Sequence, residues 1–209
     1  DHLAAEFIKS QGGHSAFKGY NGFPGNICTS IDEQVVHGIP SNRVLKEGEI
    51  ISIDVGVKKN GYYGDAAMTF AVGTVSDDRL QLMRVTEDAL YQGIAQARPG
   101  NHLSDIGHAI QTHVESYGYG VVRELVGHGV GRELHEPPEI PNYGEPGRGP
   151  VLKPGMCLAI EPMITMGSHE VRLLKDGWTV ITEDHLPSAH YEHTIAIGPD
   201  GPQILSQRK

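Results

Sequence analysis

Four carboxylates and one histidine stand in short motifs along the chain, and together they have the residue types of a metal centre. They are Asp54 in SIDVG, Asp65 in YGDAAMTF, His128 in GHGVGRELHEPP, Glu161 in AIEPMI and Glu192 in HYEHT. Four negative charges are too many for one divalent ion, whereas two ions bring the sum to zero. Carboxylates a few ångströms apart repel by roughly 4 kcal/mol per pair at an effective dielectric constant near 20. The set therefore predicts a hydrolase with two metal ions and room for a bridging water.

Each of the four carboxylates has an ordinary explanation when it is considered alone. Asp is uncommon in strands, so Asp54 among Ile and Val residues needs a partner or water. Glu161 lies in the apolar run LAIEPMI, where an unpaired carboxylate would cost several kcal/mol. Asp65 and Glu192 could each face solvent. Because every residue comes from a different strand or loop, the set indicates a shared site more strongly than any one member.

The histidines differ in how strongly their surroundings indicate a function. His128 stands between Gly127 and Gly129, which would let the backbone pass close to a ligand. His135 follows seven residues later, so the two do not share a helix face. His37, taken alone, is most simply a structural histidine before a turn. The glycines at 127–131 lack the Lys-Ser/Thr of a phosphate-binding loop, and no GxSxG motif of a serine hydrolase is present.

A β-hairpin is predicted to place the two aspartates together. Residues 50–57 alternate like a strand, and Asn60-Gly61 is a strong two-residue turn before a second strand that ends near residue 72. With a two-residue turn, Asp54 faces Ala67, and Asp65 lies diagonal to Asp54 on the same face. A turn of three residues would shift the register by one and put the aspartates on opposite faces.

The remaining pattern alternates between helices and strands. The elements expected are a helix over 1–9, helices over 77–97 and 103–117, a surface loop over 136–155 with six prolines and four glycines, and strands near 156–164, 170–174, 178–182 and 190–197. This mixture predicts the α+β class.

Composition limits the kind of protein and its compartment. The 209 residues carry a formal charge of −9, which argues against a specific nucleic-acid-binding surface. Only two cysteines occur, Cys28 and Cys157, so a disulfide framework is not expected and a reducing cytoplasm is the simpler interpretation. We find no apolar run long enough to cross a bilayer, which predicts a protein outside the membrane.

Beyond the individual residues, the chain resembles the methionine aminopeptidases, specifically the short bacterial type I form. The matching stretches are GYNGFP at 19–24, CTSI at 28–31, VHGIP at 36–40, GEIISIDV at 48–55, GD at 64–65, GHGVG at 127–131, HEPP at 135–138, IEPM at 160–163 and YEHT at 191–194. The resemblance implies the pita-bread fold, an antiparallel sheet covered by helices with internal pseudo-twofold symmetry. It also implies a single catalytic domain over 1–209, with halves of about 1–110 and 111–209.

The resemblance assigns a role to each motif residue. It implies removal of the initiator methionine from nascent chains that have a small second residue. The implied metal ligands are Asp54, Asp65, His128, Glu161 and Glu192, with Asp65 and Glu192 bridging both ions. The implied catalytic residues are His37, His135 and Glu161. The implied substrate-binding residues are Tyr20, Phe23, Cys28, His37, Leu134, His135 and Trp178.

Several expectations follow about cofactors and partners. The cofactor would be two divalent ions, with Mn, Fe, Co and Zn left open. The partners would be nascent polypeptide N-termini, with transient ribosome contact, no membrane and no specific nucleic acid, and the protein would be a monomer in the cytoplasm. The alternatives are a proline-specific aminopeptidase of the same fold and a non-catalytic peptide-binding relative.

The chain departs from the family pattern in a few places. The family often has tyrosine at Phe23, phenylalanine at Leu134 and glutamine at His190. The family also has a further helix and strand ahead of the helix that ends near Lys9. Without them we expect exposed apolar surface and an unpaired sheet edge near the front of the chain.

Overall fold

The structure, a computed structural model, describes residues 1–207 of the chain. Its α-helices within that range are α1 (His2–Ser10), α2 (Asp77–Gln96) and α3 (Leu103–Glu115), and a 3-10 turn spans Tyr20–Gly22. The three helices begin and end within two residues of the predicted bounds. No helix among the described residues combines the length and apolarity that crossing a membrane requires.

The strands are short, and most have three to five residues. Those of the first part of the chain are β1 (His14–Ser15), β2 (Cys28–Ile31), β3 (Gln34–Val36), β4 (Ile50–Asp54), β5 (Val57–Lys59), β6 (Tyr62–Gly64) and β7 (Ala67–Ala71). Those of the second part are β8 (Gly120–Val121), β9 (Gly127–Gly129), β10 (Glu136–Ile140), β11 (Cys157–Ile160), β12 (Met163–Thr165), β13 (Val171–Leu173), β14 (Val180–Thr182), β15 (Ser188–His190), β16 (His193–Gly198) and β17 (Gly201–Ile204).

These strands pair antiparallel in one five-stranded sheet and four three-stranded sheets within residues 1–207. The larger sheet has the order β10-β9-β11-β16-β17, and the smaller ones have the orders β2-β4-β7, β15-β12-β8, β13-β14-β3 and β1-β5-β6. Helix α2 packs against α3 and against β12 and β15, so the helices cover one side of the strands. This is the α+β arrangement expected from the pattern of helices and strands, and it is consistent with the pita-bread fold that the resemblance implies.

The predicted hairpin is confirmed, including its register. Asn60 and Gly61 both have positive φ, 52° and 82°, as a two-residue type I′ turn requires. Lys59 faces Tyr62, and Asp54 faces Ala67. The alternative three-residue turn is therefore wrong.

Each long strand of that hairpin is divided in two. Residues 50–57, predicted as one strand, form β4 and β5, and the second strand forms β6 and β7. The break falls where Gly56 passes the ring of Phe17, since a Cβ on Gly56 would lie 2.4 Å from Phe17 Cε1. The hairpin thereby leaves the β2-β4-β7 sheet and enters the β1-β5-β6 sheet.

The same interruption occurs in the second half of the chain, and all four carboxylates lie at these breaks. Asp54 ends β4, and Asp65 lies between β6 and β7. Glu161 lies between β11 and β12, and Glu192 lies between β15 and β16. A residue at such a break does not have to follow the alternation of side chains between the two faces of a strand. The four carboxylates can therefore all face the same cavity.

The core joins elements from both ends of the chain. Helix α2 buries an apolar stripe at Leu82, Val85, Ala89 and Ile94. It packs in one cluster with residues of β11 and β16, such as Leu158 and Ile195. On α1, by contrast, Leu3 and Phe7 are 80% and 67% exposed.

The segment 136–155 is not a plain surface loop, and that prediction is corrected. Residues 136–140 form β10 on the edge of the five-stranded sheet, where the missing N–H groups of Pro137 and Pro138 are tolerated. Further along, Asn142 and Leu152 are almost fully buried. The segment lies close to the core because its first residues form β10, which contacts α3.

Candidate metal centre

The five predicted metal ligands bound a single cavity of about 390 Å³. Ligand atoms of Asp65, His128 and Glu192 lie within 4.8 Å of one another. Glu161 joins them through its Oε1, which is 3.5 Å from His128 Nε2. Asp54 adjoins Asp65 closely enough for the two carboxyl groups to share a hydrogen bond. The expected set is thus brought together from five separate segments.

The residues present fit a pair of divalent ions. Asp54 Oδ1 and Glu192 Oε1 are buried and have no hydrogen-bond partner among the described residues. No lysine or arginine stands among the described residues that bound the cavity. Buried carboxylates without a counter-charge are unfavourable unless a cation or a proton neutralises them. Oxygen-rich ligands with one imidazole suit hard or borderline divalent ions.

In the protein without ions, the pKa values of the four carboxyl groups are raised, which shows that the site favours bound cations. Burial raises the pKa of Asp65 to about 7 and that of Glu161 to about 8, and for Asp65 repulsion from Glu161 adds to it. Burial and the neighbouring carboxylates raise the pKa of Asp54 and of Glu192 well above the usual range. Without cations, Glu161 retains most of its proton and Asp65 part of its proton at neutral pH. Divalent ions would displace those protons and restore the anionic ligands.

His128 presents a neutral imidazole to the cavity. It is paired with Ala159 across β9 and β11, and burial lowers its pKa to about 4. Its flanking glycines allow neighbouring strands to approach: a Cβ on Gly127 would lie 2.4 Å from Ala159 O, and one on Gly129 would lie 2.4 Å from Pro137 O. The glycines therefore allow close strand packing around a histidine whose ring faces the cavity.

The two predicted catalytic histidines lie on the same cavity. His37 follows β3 in a left-handed conformation with φ of 59°, and burial lowers its pKa to about 4. His135 packs its ring 4.2 Å from that of His128. Its Nδ1 lies 2.7 Å from the hydroxyl of Tyr20, a contact between positions 115 residues apart. The motif around His37, taken alone, indicates a structural histidine. The fold places its side chain on the cavity that the carboxylates also bound.

An apolar wall faces the carboxylates. Phe23, Cys28 and Leu134 are buried in one cluster with Phe17, and Trp178 packs against it. The Phe23 and Trp178 rings meet edge to face at 5.1 Å. Cys28 lies opposite Asp54 in the pairing of β2 with β4, so the apolar wall begins next to the charged one. Burial, and then the Asp54 charge, raises the pKa of the Cys28 thiol, which remains neutral.

All twelve site residues predicted from the sequence bound this cavity. They are Tyr20, Phe23, Cys28, His37, Asp54, Asp65, His128, Leu134, His135, Glu161, Trp178 and Glu192. Seven further residues bound it and were not predicted: Phe17, Asn21, Val36, Glu124, Leu125, Val126 and Met163. Most of these adjoin a motif residue in sequence, and that proximity is the signal that could have found them.

Residues that hold the backbone of the site in place were also not predicted from the sequence, because they do not bound the cavity themselves. Asn142, fully buried, donates its Nδ2–H to the backbone oxygen of Glu161 at 3.0 Å. The Thr69 hydroxyl binds the backbone of His190, two residues before Glu192. Such partners are distant in sequence from the residue they hold, and no local pattern marks them.

Comparison with known proteins gives a consistent result. A model of metallopeptidase family M24 matches residues 1–199. Methionine aminopeptidase 1 of Bacillus subtilis (strain 168) is 58% identical over 207 residues, covering 99% of this chain and 84% of that protein. The crystal structure of methionine aminopeptidase from Rickettsia prowazekii has a TM-score of 0.97 at 46% identity, covering 99% of this chain and 84% of that one. The prolidase from Pyrococcus furiosus has a TM-score of 0.68 at 27% identity, over 87% of this chain and 49% of that one.

Proposed function

The chain belongs to metallopeptidase family M24, within its bacterial type I methionine aminopeptidases, and from that premise we propose that it removes the N-terminal methionine of nascent proteins and peptides. The reaction is hydrolysis of the first peptide bond, and it depends on two divalent metal ions. The observation that carries the proposal is one cavity with a metal-ligand wall of four carboxylates and a histidine facing an apolar wall. A hydrophobic first side chain and its scissile bond fit between those walls.

Five residues would coordinate the two metal ions. Asp54, Asp65, His128, Glu161 and Glu192 would hold the two ions, and Asp65 and Glu192 would be the residues shared between them. When bound, the ions supply a water of lowered pKa and polarise the scissile carbonyl. Mn, Fe, Co and Zn are all compatible with the donor set. Metal analysis of the protein purified from its native source would identify the physiological ion.

The other polar residues act on substrate and protons. Glu161 accepts a proton from the attacking water and delivers it to the departing amide nitrogen. His37 and His135 bind the substrate beside the scissile bond and stabilise its tetrahedral oxygen. Tyr20 orients His135 through the hydroxyl contact to Nδ1. These roles need no charged histidine, in keeping with the lowered pKa of His37 and His135.

Selectivity follows from the apolar wall and its surroundings. Phe23, Cys28, Leu134 and Trp178 receive an unbranched, polarisable methionine side chain. The second residue lies at the crowded metal side, so a small side chain is accepted and a bulky one clashes. Phe23 and Leu134, where the family often has tyrosine and phenylalanine, bear on rate and preference more than on the chemistry.

A peptide panel tests the function directly. With Mn²⁺ added, we expect the protein to release methionine from Met-Ala-Ser, and to cleave Met-Phe-Ser at least about tenfold more slowly because of the clash. An N-acetylated Met-Ala-Ser is the matched control, because it lacks the free amine. Equal cleavage of all three peptides would contradict the proposal.

The proline-specific alternative predicts a different order of substrates. It requires Ala-Pro to be cleaved faster than Met-Ala, and the non-catalytic alternative requires binding without release. Retention of all five ligands in one cavity weighs against a non-catalytic role. Lower similarity to prolidase than to the methionine aminopeptidases weighs against proline specificity.

The proposal includes the compartment, the oligomeric state and the domain organisation of the protein. The protein acts as a monomer in the cytoplasm, on chains that emerge from the ribosome, and contacts the ribosome transiently. Residues 1–209 act as a single catalytic unit, with halves of about 1–110 and 111–209, each contributing two carboxylates. Support for one unit comes from the core cluster that joins α2 and α3 to β11 and β16. Light scattering would test the monomer, and co-sedimentation with translating ribosomes would test the contact.

A further inference from the structure

His190 lies directly behind the metal-binding carboxylates. Its side chain is 2% exposed, and it is not among the residues that bound the cavity, whereas the five proposed ligands are. Its Nε2 is buried without a hydrogen-bond partner among the described residues. One acidic neighbour is Glu161, whose Oε2 is 3.6 Å from Nε2. A fully buried polar atom that faces a carboxylate without bonding it calls for an explanation.

The backbone of His190 is fixed on both sides. Its N–H donates to the hydroxyl of Thr69 at 3.0 Å, and that hydroxyl donates back to the His190 carbonyl at 3.0 Å. Across the strand pair β12 and β15, His190 is opposite Met163, two residues after Glu161. The imidazole is therefore held in place next to Glu161 from two different strands.

Glu161 consequently stands between two imidazoles. Its Oε1 is 3.5 Å from His128 Nε2 on the cavity side, and its Oε2 is 3.6 Å from His190 Nε2 on the far side. Its backbone oxygen is bound by Asn142. A hydrogen-bond donor next to one oxygen of a carboxylate restricts rotation of the group, so the other oxygen keeps a defined direction.

We propose that His190 is a positioning residue, whose Nε2–H donates to Oε2 of Glu161 and keeps Oε1 directed at the metal side of the cavity. The observed 3.6 Å is a few tenths of an ångström longer than a normal N–H···O hydrogen bond of about 2.7–3.2 Å. A small rotation of either side chain closes that gap. The position of His190 behind the carboxylates, outside the cavity, favours this role over that of a sixth metal ligand. Outer partners of this kind orient metal ligands and tune their strength.

Three variants separate donation from packing. His190→Gln keeps an N–H donor of similar reach, and His190→Leu keeps comparable volume without a donor. His113→Leu is the matched control, because His113 Nε2 is also buried without a partner among the described residues but belongs to α3. Each metal-stripped protein is titrated with Mn²⁺ by calorimetry, melted with and without Mn²⁺, and assayed with Met-Ala-Ser.

The proposal predicts a specific order among the variants. His190→Leu should weaken Mn²⁺ binding or lower kcat by about 10- to 100-fold, the range seen when outer partners of metal ligands are removed. KM should change little, because His190 does not reach the substrate cavity. His190→Gln should restore most of both properties. His113→Leu should retain Mn²⁺ affinity and kcat even where its melting temperature falls.

Two results would overturn the role of His190. If His190→Leu binds Mn²⁺ and turns over like the unchanged protein, no donor is needed there. If His190→Gln loses as much as His190→Leu, or binds one Mn²⁺ fewer, the imidazole acts by packing or as a ligand. The inference rests on the proposed function through Glu161. The two remain distinguishable, since the calorimetric comparison stands even if the unchanged protein binds Mn²⁺ but releases no methionine.

Discussion

The hydroxyl of Thr194 closes a two-way hydrogen bond on the backbone of Asp65. It accepts the Asp65 N–H at 2.8 Å and donates to the Asp65 carbonyl at 2.7 Å, across 129 positions of sequence. The Glu192 N–H in turn donates to Ala67 at 2.9 Å. The backbone segments that carry Asp65 and Glu192, from different halves of the chain, are thereby joined to one another before any ion is added. Their spacing is a property of the folded backbone.

Removal of the Thr194 hydroxyl should loosen the metal centre. In Thr194→Val the shape is kept, but the N–H and carbonyl of Asp65 lose a buried partner, at a cost of about 1–3 kcal/mol for each group. We expect a lower melting temperature and weaker Mn²⁺ binding by calorimetry. Thr194→Ser keeps the hydroxyl and serves as the control. Identical behaviour of the Val and Ser variants would show that the hydroxyl does not support the site.

Glu192 should be indispensable as a bridging ligand. Glu192→Gln removes one of the four charges that balance two divalent ions while keeping the side-chain volume. We expect hydrolysis of Met-Ala-Ser to be lost and bound metal to fall, with the fold retained by circular dichroism. Glu170→Gln, an exposed position, is the control. Near-normal turnover of Glu192→Gln at saturating Mn²⁺ would remove Glu192 from the bridge.

His37 and His135 should affect turnover more than metal affinity. Both bound the cavity, but neither belongs to the proposed ligand set of four carboxylates and His128. Each change to Ala should lower kcat by about 10²- to 10³-fold, as loss of an oxyanion donor does. Metal analysis should find the ion content unchanged. Loss of metal in proportion to activity would instead make the altered histidine a ligand.

Removal of metal should make the stability of the protein fall as the pH rises through 7 and 8. The pKa of Asp65 is raised to about 7 and that of Glu161 to about 8, so the folded metal-free protein holds protons that the unfolded chain has lost. That contribution to stability is present in acid and disappears as the pH rises through 7 and 8. His37, His128 and His190, with pKa values lowered to about 4, act in the opposite direction. The histidines of the unfolded chain are half deprotonated at pH 6.5, and this effect ends near pH 7.5, about one unit above the pKa of a free histidine, so the carboxylates dominate over most of the range above pH 6.5.

The measurement is calorimetric melting of the metal-stripped protein between pH 6.5 and 8.5. We expect its melting temperature to fall by about 5 °C over this range, and the Mn²⁺-loaded protein to lack most of that fall. In Glu161→Gln, which cannot ionise there, the fall should be smaller. A melting temperature of the stripped protein that stays level or rises would contradict the assignment of protonated carboxylates.

The sequence by itself determined the chemistry and the local elements. Charge counting on Asp54, Asp65, Glu161 and Glu192 indicated two ions, because electroneutrality depends on residue types and not on coordinates. The turn at Asn60-Gly61 fixed the register of its hairpin, because backbone conformation and pairing across two residues are local properties. The helices were predicted within two residues for the same reason.

Only the tertiary structure decided how these pieces become a site. The break between β4 and β5 depends on packing against a residue distant in sequence, since the ring of Phe17 lies on Gly56 there. The orientation of Glu161 depends on His128, Asn142 and His190, which come from three other segments. Contacts between residues 19 to 129 positions apart leave no periodic trace in the sequence. They arise only when burial of the common core brings both halves of the chain together, and that event places the carboxylates close enough to require metal.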